Sequence, residues 1–80
     1  MTMYKAVVKR IRELCKQHSL TPNALSYAAG ISQSTIKSIL NGESTNPGVV
    51  TIKKIADGFD ITINEFFDTD YFRTLEQEIR

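Results

Sequence analysis

The chain has one cysteine, one histidine, two prolines, four glycines and no tryptophan. A lone cysteine cannot close an internal disulfide, and no Cys/His set has the spacing of a structural zinc site. The fold must therefore be held by packing, with no need of an oxidising compartment. No stretch approaches the ~20 apolar residues of a membrane span, and Met1 to Arg12 hold no apolar run of signal-peptide length. A cytoplasmic location is the expectation. Phosphate-cradling P-loops, GxGxxG and GxSxG motifs are absent as well. Glu13 and Glu65 have no second carboxylate at a spacing suited to acid/base work. Cys15 lies on an apolar helical stripe, the setting of an inert buried thiol. His18 falls at a helix end, where a dipole partner is expected rather than a general base. No catalytic residue, metal, cofactor or small-molecule ligand is expected.

What is present describes a small soluble fold. Hydrophobic residues make up 41% and charged residues 24% of 80 positions, the balance of a single globular domain spanning 1–80. A chain of this size buries only about 60% of its unfolded surface, so stability on the order of 5 kcal/mol is expected. The net charge of +1 conceals a split. Residues 1–54 carry eight Lys/Arg against Glu13 and Glu43, a balance of +6, whereas residues 55–80 carry seven acids against Arg73 and Arg80, a balance of −5. Such asymmetry points to a polyanion as the partner of the first part.

The periodicity is helical throughout. Tyr4, Val7, Val8, Ile11, Leu14 and Cys15 make the inner stripe of a first helix, about Tyr4 to His18. Thr21 and Pro22 read as N-cap and first position of a second, stopped by Gly30. Ser32 caps a third, about Gln33 to Leu40, which Asn41-Gly42 ends. A loop to Gly48 precedes a fourth, about Val49 to Phe59. Within it Gly58 costs about 1 kcal/mol unless a neighbour packs closely on it. Thr62 to Glu65 is a capping box opening a short fifth helix. Asp68 or Thr69 starts a sixth, about Asp70 to Ile79. The fold class is all-α.

The second and third helices, joined by Ala29-Gly30-Ile31-Ser32, have helix-turn-helix proportions over residues 21–40. Small residues (Ser26, Ala28) suit a close helix crossing, Gly30 suits a positive φ, and Ile31, Ile36 and Ile39 face inward. Gln33, Ser34, Lys37 and Ser38 then share the outer face.

With these residues in place the chain resembles the lambda-repressor-like, Cro/repressor-type (XRE) helix-turn-helix family. The resemblance runs over residues 4–68, through Arg10-Ile11-Arg12-Glu13-Leu14, Leu20-Thr21, Leu25, Ala28, Gly30-Ile31-Ser32, Ser34-Thr35-Ile36, Ile39, Asn41-Gly42, Asn46-Pro47, Ile52, Ile55-Ala56 and Ile61 to Phe67. It implies a five-helix DNA-binding domain with an additional C-terminal helix, the third helix lying in the major groove of double-stranded DNA. The base-contacting positions it implies are Gln33, Ser34, Lys37 and Ser38, and the phosphate contacts Arg10, Asn23, Asn41, Ser44, Thr45 and Asn46. Arg10 has an equal alternative as an ion-pair partner of Asp57 or Glu65. Pro22 departs from the family, which usually places a phosphate-binding Gln there; Asn23 is the substitute.

Residues 69–80 lie beyond the family core. Tyr71, Phe72, Leu75 and Ile79 can pack back on the domain or pair with a second copy, making a homodimer on half-sites about 34 Å apart. The leading function is a transcriptional repressor acting by promoter occlusion. The alternative is an antitoxin-like or adaptor module of the same fold, acting through its last helix.

Overall fold

The computed structural model describes residues 1–79, and its elements are six helices in the expected order. α1 (Met3–Gln17) starts where the Thr2 hydroxyl accepts from the Lys5 N–H, and buries Ala6, Val7, Ile11, Leu14 and Cys15. α2 (Pro22–Ala29) and α3 (Gln33–Leu40) are capped by the Thr21 and Ser32 hydroxyls, which accept from the N–H groups of Ala24 and Thr35 at 3.1 Å each. α4 (Val49–Gly58) buries Ile52, Ile55 and Ala56. α5 (Ile63–Phe66) opens with the full capping box, Thr62 Oγ1 accepting from the Glu65 N–H and Glu65 Oε1 from the Thr62 N–H. Those bonds to Thr62, backbone first, hold the Glu65 carboxyl below its usual 4.5. Among the described residues no helix is long and apolar enough to cross a membrane.

Three helix ends share one device. Ser19, Gly30 and Asp60 take positive φ (54°, 67° and 58°). The residue after each donates to the carbonyl five back: Leu20 to Cys15 at 2.8 Å, Ile31 to Ser26 at 3.0 Å and Ile61 to Ala56 at 3.1 Å. Each bond turns an apolar side chain (Leu20, Ile31, Ile61) back onto the core. The core itself is one cluster around Ile11, Leu25, Ile36, Ile39, Ile55, Phe59 and Phe66. His18 caps the end of α1 and its ring lies 5.3 Å from that of Phe59. Burial pushes the Cys15 thiol up, with Arg12 opposing.

The close crossing lies between α2 and α4, and it uses Ala29 rather than Ala28, which is exposed. A Cβ on Gly58 would stand 3.1 Å from Ala29 Cβ, 3.1 Å from its N and 3.2 Å from its Cα. Two of these are backbone atoms that cannot turn aside. Gly58→Ala should therefore lose about 1 to 3 kcal/mol to overpacking, more than the helix-propensity gain of about 1 kcal/mol returns. A lower midpoint in urea unfolding is the expected reading; a higher one would mean that α2 and α4 can part freely.

The sixth helix is much shorter than its sequence suggests. α6 spans only Asp70–Arg73, capped by Thr69, and Leu75 to Ile79 are not helical. Tyr71 donates its hydroxyl to Glu13 Oε1 at 2.5 Å under the Lys9 ammonium, which sits 4.7 Å from the ring centroid. Burial first, then the Glu13 carboxylate, raise the Tyr71 phenol to about 12. Phe72 packs edge-on against Phe67 at 4.9 Å. The stripe expected to dimerise is thus split: Tyr71 and Phe72 are used internally, Leu75 is half-buried, and Ile79 is 87% exposed. The physical reason lies at the other end of the chain. Glu76 Oε1 lies 3.6 Å from the α-amino group of Met1, the Glu76 N–H donates to the Met1 carbonyl at 3.2 Å, and Glu78 Oε2 accepts from the Met3 N–H at 3.5 Å. The tail is drawn along the positive end of α1, where a carboxylate is favoured, instead of propagating a short and marginal helix.

Candidate nucleic-acid interface

α3 is locked on its inner side and at its carboxyl end. Ile36 and Ile39 are buried. The Tyr4 hydroxyl donates to the Ile39 carbonyl at 2.5 Å, and the Arg12 guanidinium to the Leu40 carbonyl at 3.4 Å. α1 thus satisfies two carbonyls that the end of α3 leaves unpaired. Tyr4 is legible in the sequence only as one more apolar position; the clue to its second role is that a half-buried tyrosine needs a partner for its hydroxyl.

The outer face is open. Gln33, Ser34 and Lys37 are exposed and Ser38 is half-buried, all on the side away from Ile36 and Ile39. At the start of α3 the Thr35 N–H is taken by Ser32 Oγ and the Ile36 N–H by the Ser32 carbonyl, whereas the Gln33 and Ser34 N–H groups have no partner among the described residues. At the start of α2 Pro22 has no N–H, Thr21 takes those of Ala24 and Leu25, and the Asn23 N–H remains open. The two helix starts therefore present three N–H groups suited to an anion, with the exposed Asn23 side chain beside one of them.

Three of the residues expected to contact phosphate have other neighbours in the fold. Arg10 donates Nε to the Phe66 carbonyl at 2.7 Å and a terminal nitrogen to the Glu65 carbonyl at 2.8 Å. It binds the carboxyl end of α5 to α1, through main-chain carbonyls rather than the Glu65 carboxylate, and Asp57 pairs with Lys53 instead. A guanidinium so engaged serves as a structural clamp. Thr45 and Asn46 line an apolar groove of about 680 Å³ with Met3, Pro47, Val49 and Phe67. Asn41 and Ser44 stay beside α3: the Glu43 and Ser44 N–H groups both donate to the Ser38 carbonyl at 3.0 Å.

Glu43 has a place at this face that no local sequence signal announces. Its carboxylate accepts from the Ser38 hydroxyl at 3.5 Å and from Asn41 Nδ2 at 3.4 Å, two groups expected to meet DNA. It also stands at the negative end of α3, where nothing in the helix favours it. The charge map sharpens the point. Within residues 21–42 Lys37 is the one charged side chain, and the basic excess sits mainly on α1 as Lys5, Lys9, Arg10, Arg12 and Lys16. The basic excess therefore does not arise from the helix pair, and of these α1 residues Arg12 is the one that touches α3, at the Leu40 carbonyl. Glu43→Gln should raise affinity for duplex DNA about fivefold near 0.1 M salt, the size of one unfavourable charge contact in screened solvent. Fluorescence anisotropy titration reads this, and unchanged affinity would place Glu43 away from the phosphate path.

A helix pair whose second member is braced from behind and open in front, joined by a tight left-handed turn, defines the helix-turn-helix class. The chain matches the Cro/C1-type helix-turn-helix DNA-binding domain over residues 10–70, and it belongs to that family. It is similar to the prophage Lp1 protein 11, whose crystal structure superposes with a TM-score of 0.81 at 31% identity, covering 94% of this chain and 99% of that one. It is also 44% identical over 48 residues to RghRB of Bacillus subtilis (strain 168), described as an uncharacterized HTH-type transcriptional regulator. That match covers 60% of this chain and 34% of RghRB, so the shared region is about a third of the relative's length.

Proposed function

We propose that this chain is a sequence-specific transcriptional regulator, a repressor, that reads the major groove of its operator with α3. The supporting observation is the state of α3: its inner face and carboxyl end are held by Ile36, Ile39, Tyr4 and Arg12, while Gln33, Ser34 and Lys37 stand open. In the reading complex the Gln33 amide pairs with an adenine edge, Lys37 reaches guanine O6/N7, and Ser34 and Ser38 add single hydrogen bonds. The open N–H groups of α2 and α3, with Asn23, Asn41 and Ser44, take phosphate oxygens. Occupancy of the promoter is then sufficient to exclude polymerase. The alternative, protein docking through the last helix, is not favoured, because Tyr71 and Phe72 are turned onto the domain itself.

With one cation on the helix pair and the other basic residues of the first part carried by α1 and α4, few phosphates are neutralised by each copy. Affinity for operator DNA should fall with salt on a log–log slope of roughly −2 to −4 per copy, each ion contact giving about −0.9. A slope near zero in anisotropy titrations between 50 and 300 mM salt, roughly the range over which phosphate contacts are resolved, would reject DNA as the partner.

A further inference from the structure

Tyr27 is the outlier of the helix pair. It is 78% exposed on α2, so its ring adds little to the core. Its hydroxyl oxygen accepts from Gln33 Nε2 at 3.3 Å, across the turn between α2 and α3. Gln33 is the first residue of α3 and exposed, a side chain with many rotamers in water. Pro22, at the head of α2, has no polar side-chain atom or N–H with which to hold it. The geometry points to Tyr27 as the positioning residue for Gln33, and so as a determinant of base specificity that does not itself read a base.

The chemistry of the amide supports this. Gln33 Nε2 carries two hydrogens and Oε1 accepts. Giving one hydrogen to Tyr27 restrains the amide plane. The second hydrogen and Oε1 remain for the N7 and N6 groups of one adenine, the bidentate pairing that discriminates bases. A side chain already held in its reading conformation loses less freedom on binding, and the gain is specific to the base that it matches. The phenol ring is rigid and needs only its hydroxyl to do this.

The inference rests on the proposed reading by α3, and a double-mutant cycle separates the two. The probe is the duplex best bound by the wild-type protein in a random-library selection, together with the four versions of each base pair in it. Gln33→Ala should erase the preference at one base pair, roughly tenfold in affinity. Tyr27→Phe should lower the preference at that same pair about three- to fivefold, leave the other pairs and random duplex unchanged, and have no further effect in the Gln33→Ala background. Its thermal midpoint should match the wild type, since the ring is exposed. Equal weakening on all sequences would make Tyr27 a phosphate contact and overturn the positioning role. An unchanged or additive Tyr27→Phe effect would also overturn it, with the Gln33 reading intact. If Gln33→Ala leaves every base preference unaltered, base reading by Gln33 and the role of Tyr27 fall together.

Discussion

Phe66→Ala should bring the domain to the edge of stability at 25 °C, with about 0 to 2 kcal/mol remaining. Phe66 is fully buried, its ring meets Phe67 edge-on at 5.0 Å and lies 6.3 Å from Phe72. Its carbonyl receives Arg10 Nε, so the same residue joins α5 to both α1 and α6. Removing a buried phenyl ring typically costs about 3 to 5 kcal/mol, against a total near 5 kcal/mol for a chain of this size. α5 has four residues and cannot persist without tertiary contacts. Once it loosens, the Arg10 clamp and the Tyr71–Glu13 bond lose their framework. Far-UV circular dichroism should show a steeply lowered midpoint in thermal and urea unfolding, with part of the helicity already lost without denaturant. Phe66→Leu, which keeps most of the volume, should still unfold cooperatively, and Ile79→Ala should match the wild type. A Phe66→Ala variant within about 1 kcal/mol of wild type would show that the α1–α4 unit is stable alone.

Lys37→Ala and Gln33→Ala should each weaken binding to the selected operator by roughly 1 to 3 kcal/mol, a factor of about 5 to 150. Both side chains are exposed and make no contact with the core, so the folded state should be unaffected. The two losses differ in kind. Gln33 is neutral, and its removal should act on the cognate duplex while leaving random duplex and the salt slope alone. Lys37 carries the charge of the helix pair, so its removal should also flatten the slope by about one contact. Paired titrations on cognate and random duplex at two salt concentrations read both. Equal losses on the two duplexes would mean that these residues touch only the backbone of DNA and that base selection lies elsewhere.

Most of the fold was legible because its punctuation is chemical and local. Thr21-Pro22, Gly30, Ser32, Asn41-Gly42 and Thr62-Glu65 each set a helix boundary through one hydroxyl, one carboxylate or one permissive φ, and the structure uses all of them. Ser19 and Asp60 do the same work as Gly30 without being glycine, and for that reason carry no comparable signal. The sixth helix misled for a different reason. Its apolar spacing is helical, but Glu76 and Glu78 have partners at Met1 and Met3, more than seventy residues away, which no local pattern contains.

The candidate site divides along the same line. Gln33, Ser34, Lys37 and Ser38 share a face because α3 is regular. Arg10 shows the limit: its main-chain acceptors at Glu65 and Phe66 exist only once α5 has docked. Glu43 and Tyr27 were overlooked because each acts on a neighbour that already had a role assigned, Ser38 and Asn41 for one and Gln33 for the other.

On the proposed reading, the open face of α3 selects DNA sequence. Selection from a random duplex library tests this, run in parallel with the wild-type chain and a Gln33→Ala/Ser34→Ala/Lys37→Ala variant whose circular dichroism matches it. The wild type should enrich one short motif, protected in a footprint, and the variant should enrich none. The same motif emerging from both proteins, or no motif from the wild type, would contradict it.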